Sequence, residues 1–258
     1  MKLKILNRFG FTSTTICNGR KIEYIVIHYT AGTTSRMGKA RDVAAMFKRG
    51  SGGSADFIVD DAEIVQYNPE PRNRYCWAVG GSKYTRMTTS VGGRLYGVCT
   101  NKNSISVEIC SNKRNTSRLN AEDTDWYFTD ESLDNAAALV RELMAEYGID
   151  KDHVIMHHEV TGKICPNPWC VVPGRLTEWQ KFKAMLTEYD EYYKVTARDG
   201  LNVREKPNST SKILMTVPYG KLVKLIDTTT YTWWRVKKGN VRGYVCRSYL
   251  KFAKKKKK

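Results

Sequence analysis

The sequence predicts an α/β domain with a mixed central β-sheet flanked by helices, followed by a small all-β barrel. The first observation is the run at residues 22–27, which is too uniformly apolar for a strand with one wet face and so indicates a strand covered on both sides. The second is the helical spacing of apolar residues in later segments. Beyond Tyr193 the pattern changes to short β-like runs between Gly, Pro and Asn residues, so we place a domain boundary between residues 190 and 191.

The length of 258 residues suffices for one large domain or two unequal ones. The chain contains no apolar run long enough to span a bilayer, and residues 1–8 lack the apolar stretch and cleavage site of a signal peptide. Its seven cysteines are odd in number and irregularly spaced, which argues against a disulfide framework. We therefore expect synthesis in a reducing cytoplasm, with no transmembrane segment and no export by the general secretory route.

The net charge of +17 is concentrated at the C-terminal end of the chain. Residues 1–190 contain 25 Lys and Arg against 22 Asp and Glu, a net charge of +3, whereas residues 191–258 contain 18 against 4, a net charge of +14. A strongly basic domain is expected to bind a polyanion, which can be nucleic acid, an acidic membrane or an anionic cell-wall polymer. Residues 253–258 form a lysine-rich tail, for which the sequence predicts a solvated, disordered end.

A helix and a hairpin are predicted after the first strand. The apolar residues at helical spacing are Ala40, Val43, Ala44 and Phe47. They predict a helix that packs one face on the sheet and ends at Gly50. The segments 55–59 and 64–67 flank a turn and predict a strand, turn and strand.

The chain between this hairpin and residue 100 is rich in Gly, Arg and aromatic residues and has weak periodicity. Long irregular segments of this kind often line binding sites, so we expect part of a substrate groove there. Residues 105–110 then alternate between Ile or Val and Ser, Glu or Cys, which predicts a strand whose second face carries Glu108. We expect this carboxylate to look into a cleft.

Further elements complete the first domain. An apolar stripe over residues 131–147 predicts a helix that is entered through Thr129 or Asp130 and ended by Gly148. Residues 178–189 predict a closing helix.

A loop after the predicted short strand 154–156 brings together two histidines, Lys163 and Cys165. Histidine nitrogen and cysteine thiolate are good zinc ligands, and a catalytic zinc typically takes three protein ligands. His28 ends the first strand, and a strand end is a rigid platform for a ligand that faces a cleft, so it is our candidate third ligand. Taken alone, His28 would be interpreted as a structural histidine and Cys165 as a core residue.

The histidine pair itself leaves a choice open. Adjacent residues of a strand point to opposite faces, so His157 and His158 cannot both be ligands from a strand. Spacing alone does not decide between them.

Four segments carry recognisable motifs. They are residues 25–30 (Ile-Val-Ile-His-Tyr-Thr), 54–60 (Ser-Ala-Asp-Phe-Ile-Val-Asp), 103–109 (Asn-Ser-Ile-Ser-Val-Glu-Ile) and His157 followed by Cys165-Pro166. Together they resemble the zinc-dependent N-acetylmuramoyl-L-alanine amidases, a family that includes phage endolysins and peptidoglycan recognition proteins. The resemblance covers residues 20–188, in the order that the family uses.

The resemblance implies that His28, His157 and Cys165 hold zinc, with Lys163 close to the reacting carbonyl. It implies as substrate the amide between N-acetylmuramic acid and L-alanine in peptidoglycan. Zinc would polarise this amide and activate water. Glu108 is the candidate to take the proton of that water and pass it to the leaving amine, and Lys163 the candidate to stabilise the oxyanion. The alternative for Glu108 is a partnered structural carboxylate.

The chain departs from many of these relatives at two places. They carry histidine or tyrosine around Ala55-Asp56, and histidine at the position of Ala78. Asp56 therefore either orients a ligand histidine or is structural.

Residues 192–252 resemble a bacterial SH3-like domain, through motifs that include Gly200-Leu201-Asn202-Val203-Arg204 and Gly243-Tyr244-Val245. Such modules target wall hydrolases to the cell wall, which fits the basic charge of this region. Trp233 and Trp234 occupy adjacent strand positions, so we expect at least one of them in the core.

These features predict a modular peptidoglycan hydrolase, namely a phage or prophage endolysin that is made in the host cytoplasm and acts on the cell wall. Its expected partners are peptidoglycan and, through the SH3-like domain, anionic cell-wall polymers. A non-catalytic peptidoglycan receptor is the alternative, although relatives of that kind tend to lose the cysteine ligand. The nearly neutral residues 1–190 argue against a nucleic-acid-binding protein.

Overall fold

The structure, a computed structural model, describes residues 5–31, 39–84, 89–187, 189–227 and 232–257. Its contacts separate into two units, Met1–Leu186 and Thr187–Lys258, which are considered one at a time below. The boundary that the sequence suggests at residues 190 and 191 falls inside the first strand of the second unit, Tyr189–Val195.

The first unit contains both strands and helices. Its strands are β1 (Ile5–Asn7), β2 (Thr14–Ile16), β3 (Tyr24–Tyr29), β4 (Phe57–Val59), β5 (Ile64–Gln66), β6 (Arg74–Cys76), β7 (Ser104–Ile109), β8 (Asn112–Lys113), β9 (Trp126–Tyr127) and β10 (Val154–Met156). Its helices are α1 (Ala40–Lys48), α2 (Asp130–Tyr147), α3 (His157–Thr161), α4 (Asn167–Cys170) and α5 (Leu176–Met185). Within the described ranges, no helix is long and apolar enough to cross a membrane.

Six of these strands form the main sheet of the described chain, in the order β1-β5-β4-β7-β3-β10. β4 and β5 pair antiparallel, as the hairpin prediction requires, and all other neighbours pair parallel. The predicted mixed sheet is therefore confirmed, with β3 between two parallel neighbours.

Both faces of β3 are buried, which explains its uniformly apolar sequence. Ile25 and Ile27 point into the cluster that contains the inner side chains of α2, such as Val140. Val26, on the opposite face, packs with Ile155 and other residues of a second cluster. Burial of an aliphatic side chain of this size stabilises the fold by roughly 1.5–3 kcal/mol relative to exposure.

The helix ends follow the sequence signals closely, with one exception. α2 begins after Thr129, whose hydroxyl accepts a hydrogen bond from the backbone N–H of Ser132, and it ends at Gly148. The closing helix was predicted to run to Tyr189, but α5 ends at Met185 and Tyr189 begins a strand. Apolar spacing in this segment fits either structure, so strand pairing in the second unit decided its conformation.

The second unit is a seven-stranded sheet over the described residues. Its strands are β11 (Tyr189–Val195), β12 (Leu201–Arg204), β13 (Ile213–Val217), β14 (Leu222–Asp227), β15 (Trp233–Lys238), β16 (Val241–Cys246) and β17 (Leu250–Lys257). Their order is β13-β12-β16-β15-β14-β11-β17, and every pair is antiparallel. The core residues are Val195, Leu201, Val203, Val217, Val223, Val236 and Val245. The predicted small all-β domain is confirmed.

Two expectations for this unit were wrong. Residues 254–257 of the lysine-rich tail are not a disordered end, since they continue β17 and pair with residues 189–192 of β11. Strand pairing uses backbone groups, which charged side chains leave available. Trp233 and Trp234 are both half-buried and neither belongs to the core cluster. The Trp234 ring instead lies against Tyr193, which packs on the cluster, with ring centroids 5.0 Å apart.

The left-handed Gly148 gives a test of the fold. Its φ is +67° and an added Cβ would meet nothing within 4 Å, so Gly148→Ala introduces backbone strain without a clash. We expect the free energy of unfolding to fall by about 1 kcal/mol in denaturant titrations. Gly174→Ala is the control, since Gly174 also has open space but no positive φ. An equal effect of the two substitutions would contradict the explanation.

Candidate metal centre

The parallel sheet brings His28 and Glu108 together. β3 and β7 pair in parallel, and His28 stands opposite Glu108 in the register. Paired residues of neighbouring strands point to the same face, so the imidazole and the carboxylate leave the sheet side by side. Their face is opposite to the one that packs on α2, because Ile27 and Val107 precede them in strands of period two.

His157 reaches the same place from the other neighbour of β3. Met156 of β10 is paired with Ile27, so His157 follows at the level of His28 and begins α3. Gly162, with φ +83°, ends this short helix and turns the chain back. The backbone N–H of His158 then donates to the carbonyl of Cys165 at 2.7 Å, which fixes the return of the loop.

Three buried side chains meet at this point. His28, His157 and Cys165 are each 3% exposed, and one ligand atom of each lies within 4.8 Å of the others. The Cys165 Sγ is 3.7 Å from the His28 Nδ1, and the two imidazole centroids are 4.7 Å apart. Sequence reasoning named these residues, and the fold brings them together.

The donor atoms of this cluster fit a metal ion. His28 Nε2 and both ring nitrogens of His157 are buried and have no hydrogen-bond partner among the described residues. Unsatisfied buried nitrogen atoms cost free energy, and coordination would satisfy them. Two imidazoles and a thiol are a donor set that soft and borderline metal ions prefer.

Burial also sets the protonation of the three candidate ligands. It lowers the pKa of His157 to about 3 and that of His28 well below its usual value, and the nearby Lys163 ammonium adds to both shifts. The imidazoles are therefore neutral, which is the form that binds metal. Burial, with the Glu108 carboxylate, raises the pKa of Cys165 to about 12, so metal binding must displace its proton.

Glu108 has an unusual environment for a carboxylate. Burial raises its pKa to about 8, and only the Lys163 ammonium opposes this shift. Its Oε2 is buried without a partner among the described residues. A structural carboxylate would have hydrogen-bond partners for its buried oxygens, and Oε2 has none among the described residues, so this contact favours the proton-transfer role, which stays a prediction.

His158 forms hydrogen bonds within the loop, whereas Lys163 extends into the groove. The His158 Nδ1 lies 2.8 Å from the carbonyl oxygen of Lys163 and its Nε2 lies 2.8 Å from the Thr89 hydroxyl. A carbonyl only accepts, so Nδ1 carries the proton and both ring nitrogens are engaged. His158 therefore braces the loop, while the exposed Lys163 side chain lines the groove.

Comparison with known proteins shows the family of this chain. The family model described as N-acetylmuramoyl-L-alanine amidase matches residues 18–168, which is more than half of the chain. The chain belongs to this family. A second family, described as a bacterial SH3 domain, matches residues 199–251.

The similarity to individual amidases is moderate. The chain is 28% identical to the N-acetylmuramoyl-L-alanine amidase CwlL of Bacillus licheniformis over 210 residues, which are 80% of this chain and 52% of that protein. It is 33% identical to CwlA of Bacillus subtilis strain 168 over 150 residues, 58% of this chain and 45% of that protein. It thus spans about half the length of these curated relatives. The solved catalytic domain of XlyA superposes with a TM-score of 0.50 and 28% identity, over 71% of this chain and 99% of that one.

In the amidase unit, the cluster of His28, His157 and Cys165 lies in a groove. The residues that line this groove with it are Tyr29, Ala31, Met46, Phe47, Ser51, Gly52, Gly53, Ser54, Trp77, Ala78, Tyr84, Glu108, Ala121, Glu122, Lys163 and Ile164. The irregular segment before residue 100 contributes Trp77, Ala78 and Tyr84 to this groove, and its binding of substrate stays a prediction.

The sequence analysis did not predict one wall of the groove, which is formed by the loop of Ala121 and Glu122. The carbonyl of Ala121 accepts hydrogen bonds from the Tyr29 hydroxyl at 2.5 Å and from the Asn167 Nδ2 at 2.7 Å. These bonds pull the loop of Ala121 and Glu122 over the site. The anchors are distant in sequence and the loop has no periodicity, so no local signal could have revealed it.

Asp56 is a structural residue of the amidase unit. It is 1% exposed, and its carboxylate accepts the backbone N–H of Ser106 at 2.8 Å and the Asn68 Nδ2 at 2.6 Å. Burial raises its pKa, and Arg20 partly opposes the shift. The described contacts of its carboxylate do not include a ligand histidine, so the structural alternative is the one realised.

The raised pKa of Glu108 predicts how stability depends on pH in the metal-free protein. The carboxyl of the unfolded chain ionises near the ordinary glutamate pKa of 4.5, whereas the folded one holds its proton to about pH 8. Stability therefore falls as pH rises between these values, by up to about 1.4 kcal/mol per pH unit. Glu108→Gln, which cannot ionise, should gain stability over the wild type as pH rises.

Urea titrations with a chelator present, at pH 5 and pH 7.5, check this expectation. Glu122→Gln, at an exposed carboxylate of the same groove, is the control and should change stability by less than about 0.5 kcal/mol at either pH. Parallel pH profiles for the wild type and Glu108→Gln would show that Glu108 is ionised in the folded protein.

Proposed function

We propose that this protein is a zinc-dependent N-acetylmuramoyl-L-alanine amidase that hydrolyses the amide between N-acetylmuramic acid and L-alanine in peptidoglycan. The observation that carries the proposal is the buried cluster of His28, His157 and Cys165 beside Glu108, at the floor of a groove. Family membership and the names of the relatives point to the same reaction.

The donor set supports zinc as the ion. Two imidazoles and one thiolate are ligands of catalytic zinc sites, which leave one position open to the substrate. His28, His157 and Cys165 would hold the ion. Bound zinc supplies a Lewis acid that polarises the amide carbonyl and lowers the pKa of water to about 7.

The remaining groups of the groove supply proton transfer and charge stabilisation. The Glu108 carboxylate takes the proton of the attacking water and delivers it to the nitrogen of the leaving L-alanine. One carboxylate can serve both halves of this transfer, because it accepts the proton from water and then returns it to the leaving amine. The Lys163 ammonium lines the same groove and stabilises the oxyanion that forms on the carbonyl.

The second unit directs this activity to the wall. Its match to a bacterial SH3 domain and its charge of +14 over residues 191–258 support binding to the cell wall, with anionic wall polymers as ligands. Tethering raises the local concentration of the amidase unit at its insoluble substrate. The protein then acts on the wall as a phage or prophage endolysin.

Zinc content and cleavage test the proposal together. Cys165→Ala removes one ligand, so we expect the bound zinc to fall from about one per chain to nearly none and the release of new N-terminal alanine from peptidoglycan to stop. Cys170→Ala removes a thiol that is just as buried but lies outside the cluster, and it should keep both properties. Elemental analysis and end-group analysis provide the two readouts.

Each outcome has a clear meaning. A wild-type protein without zinc at saturating metal would overturn the proposal. Zinc at the expected site without release of alanine from any peptidoglycan would favour the non-catalytic receptor.

Substitutions of the proton-transfer groups test their roles. With zinc bound, Glu108→Gln should lower kcat by about 10²–10³ and Lys163→Met by about 10-fold or more, since each removes a group used in the transition state. Glu122→Gln lines the same groove without a proposed chemical role and should retain kcat within about threefold. Zinc content measured for every variant separates lost chemistry from lost metal. An active Glu108→Gln enzyme would assign the base to another group.

A further inference from the structure

The second unit has one sheet face that is strongly basic. Val203, Val223, Val236 and Val245 point into the core. Strand alternation therefore turns the residues next to them outward. The outward residues that carry positive charge on β12, β14, β15 and β16 are Arg204, Lys224, Arg235, Lys237 and Arg242, and we call them the basic face.

The strand register places these cations in two rows. In the first row Arg242 stands opposite Lys237, which stands opposite Lys224. In the second row Arg204 stands opposite Tyr244, which stands opposite Arg235. Directly opposed residues share a face and have Cβ atoms about 4.5–5.5 Å apart, so each row is a continuous line of side chains across the strands.

The first row places like charges next to one another on three strands. Like charges directly opposite each other destabilise a sheet, and here three cations follow one another on adjacent strands. In the second row Asp227 is opposite Arg235 in the register. An anion that lies across the first row is attracted by all three of its cations.

The dimensions of the face indicate an extended ligand. The two rows span β12, β16, β15 and β14, which at about 4.8 Å per strand is roughly 14 Å. Arg235 and Arg242 are exposed, and guanidinium groups bind phosphate oxygens through paired hydrogen bonds. Arg204 donates to the carbonyl of Ser211 at 2.7 Å, so its charge is held at the edge of the face.

We infer that the basic face is a binding site for a phosphodiester-linked polymer of the bacterial wall surface, with successive phosphates lying across its two rows. This inference rests on the wall-directed function proposed above and assigns it to particular side chains. The site recognises regularly spaced negative charge, so removal of phosphate from the wall weakens binding even when peptidoglycan remains.

A triple substitution tests the site in the full-length chain. Arg235→Gln, Lys237→Gln and Arg242→Gln together remove three charges from the basic face. The matched control, Lys206→Gln, Lys212→Gln and Lys221→Gln, removes three charges from exposed positions of the same unit outside the two rows. Co-sedimentation with purified walls that carry a phosphodiester polymer should show affinity at least about tenfold weaker for the first variant and within about twofold for the control.

Measurements on the wild type make the test independent of variant folding. Hydrofluoric acid cleaves phosphodiesters, so walls treated with it should bind the wild type as weakly as untreated walls bind the triple variant. Soluble poly(glycerol phosphate) should displace the wild type from untreated walls. Equal affinity for treated and untreated walls, or unchanged binding of the triple variant, would overturn the inference, as would stronger displacement by duplex DNA than by the polymer.

Hydrolysis of a soluble muramoyl peptide separates this inference from the proposed function. The triple variant should cleave this substrate as fast as the wild type, because none of its substituted residues lines the groove. If the wild type itself fails to cleave it, the amidase proposal fails, and the wall-binding comparison still decides on the basic face.

Discussion

The parallel pairing of β3 with β7 and β10 is the constraint on which the site depends. The carboxyl ends of parallel neighbours meet at one edge of a sheet, and here these ends carry Glu108, His28 and His157. The hydrogen bonds between these strands fix the spacing of the three residues at this edge. Only Cys165 arrives from outside the sheet, on a loop that Gly162 and His158 fold back against β3.

Desolvation at this edge affects every group in the same sense. Burial favours the neutral forms, so the two imidazoles lose their protons while Cys165 and Glu108 keep theirs. The result is a cluster of lone pairs with no charge of its own and several unsatisfied nitrogen atoms. Such a cluster costs the fold stability, which the apolar clusters on both faces of β3 offset, and a bound cation would recover it.

The two units differ in how their charged side chains are distributed. In the first unit, positive and negative charges are nearly balanced. Its groove contains a few charged side chains, among them Lys163, which precedes Cys165 by two residues. In the second, an excess of cations is spread over a rigid sheet. A compact site suits one reacting bond, whereas an extended basic surface suits a long, repetitive partner that need not be held in a single register.

The sequence by itself determined what is local. The apolar run of β3, the ends of α2 and the ligand chemistry of His28 and Cys165 depend on periodicity, capping and residue type. Tertiary structure decided the rest. Residue spacing left the choice between His157 and His158 open, and only the family resemblance pointed to His157. The fold engages both ring nitrogens of His158 with Thr89 and Lys163, whereas those of His157 have no partner among the described residues. It also closed the groove wall at Ala121 and paired residues 254–257 with β11. These contacts join segments far apart in the chain, and no local pattern encodes a partner at such a distance.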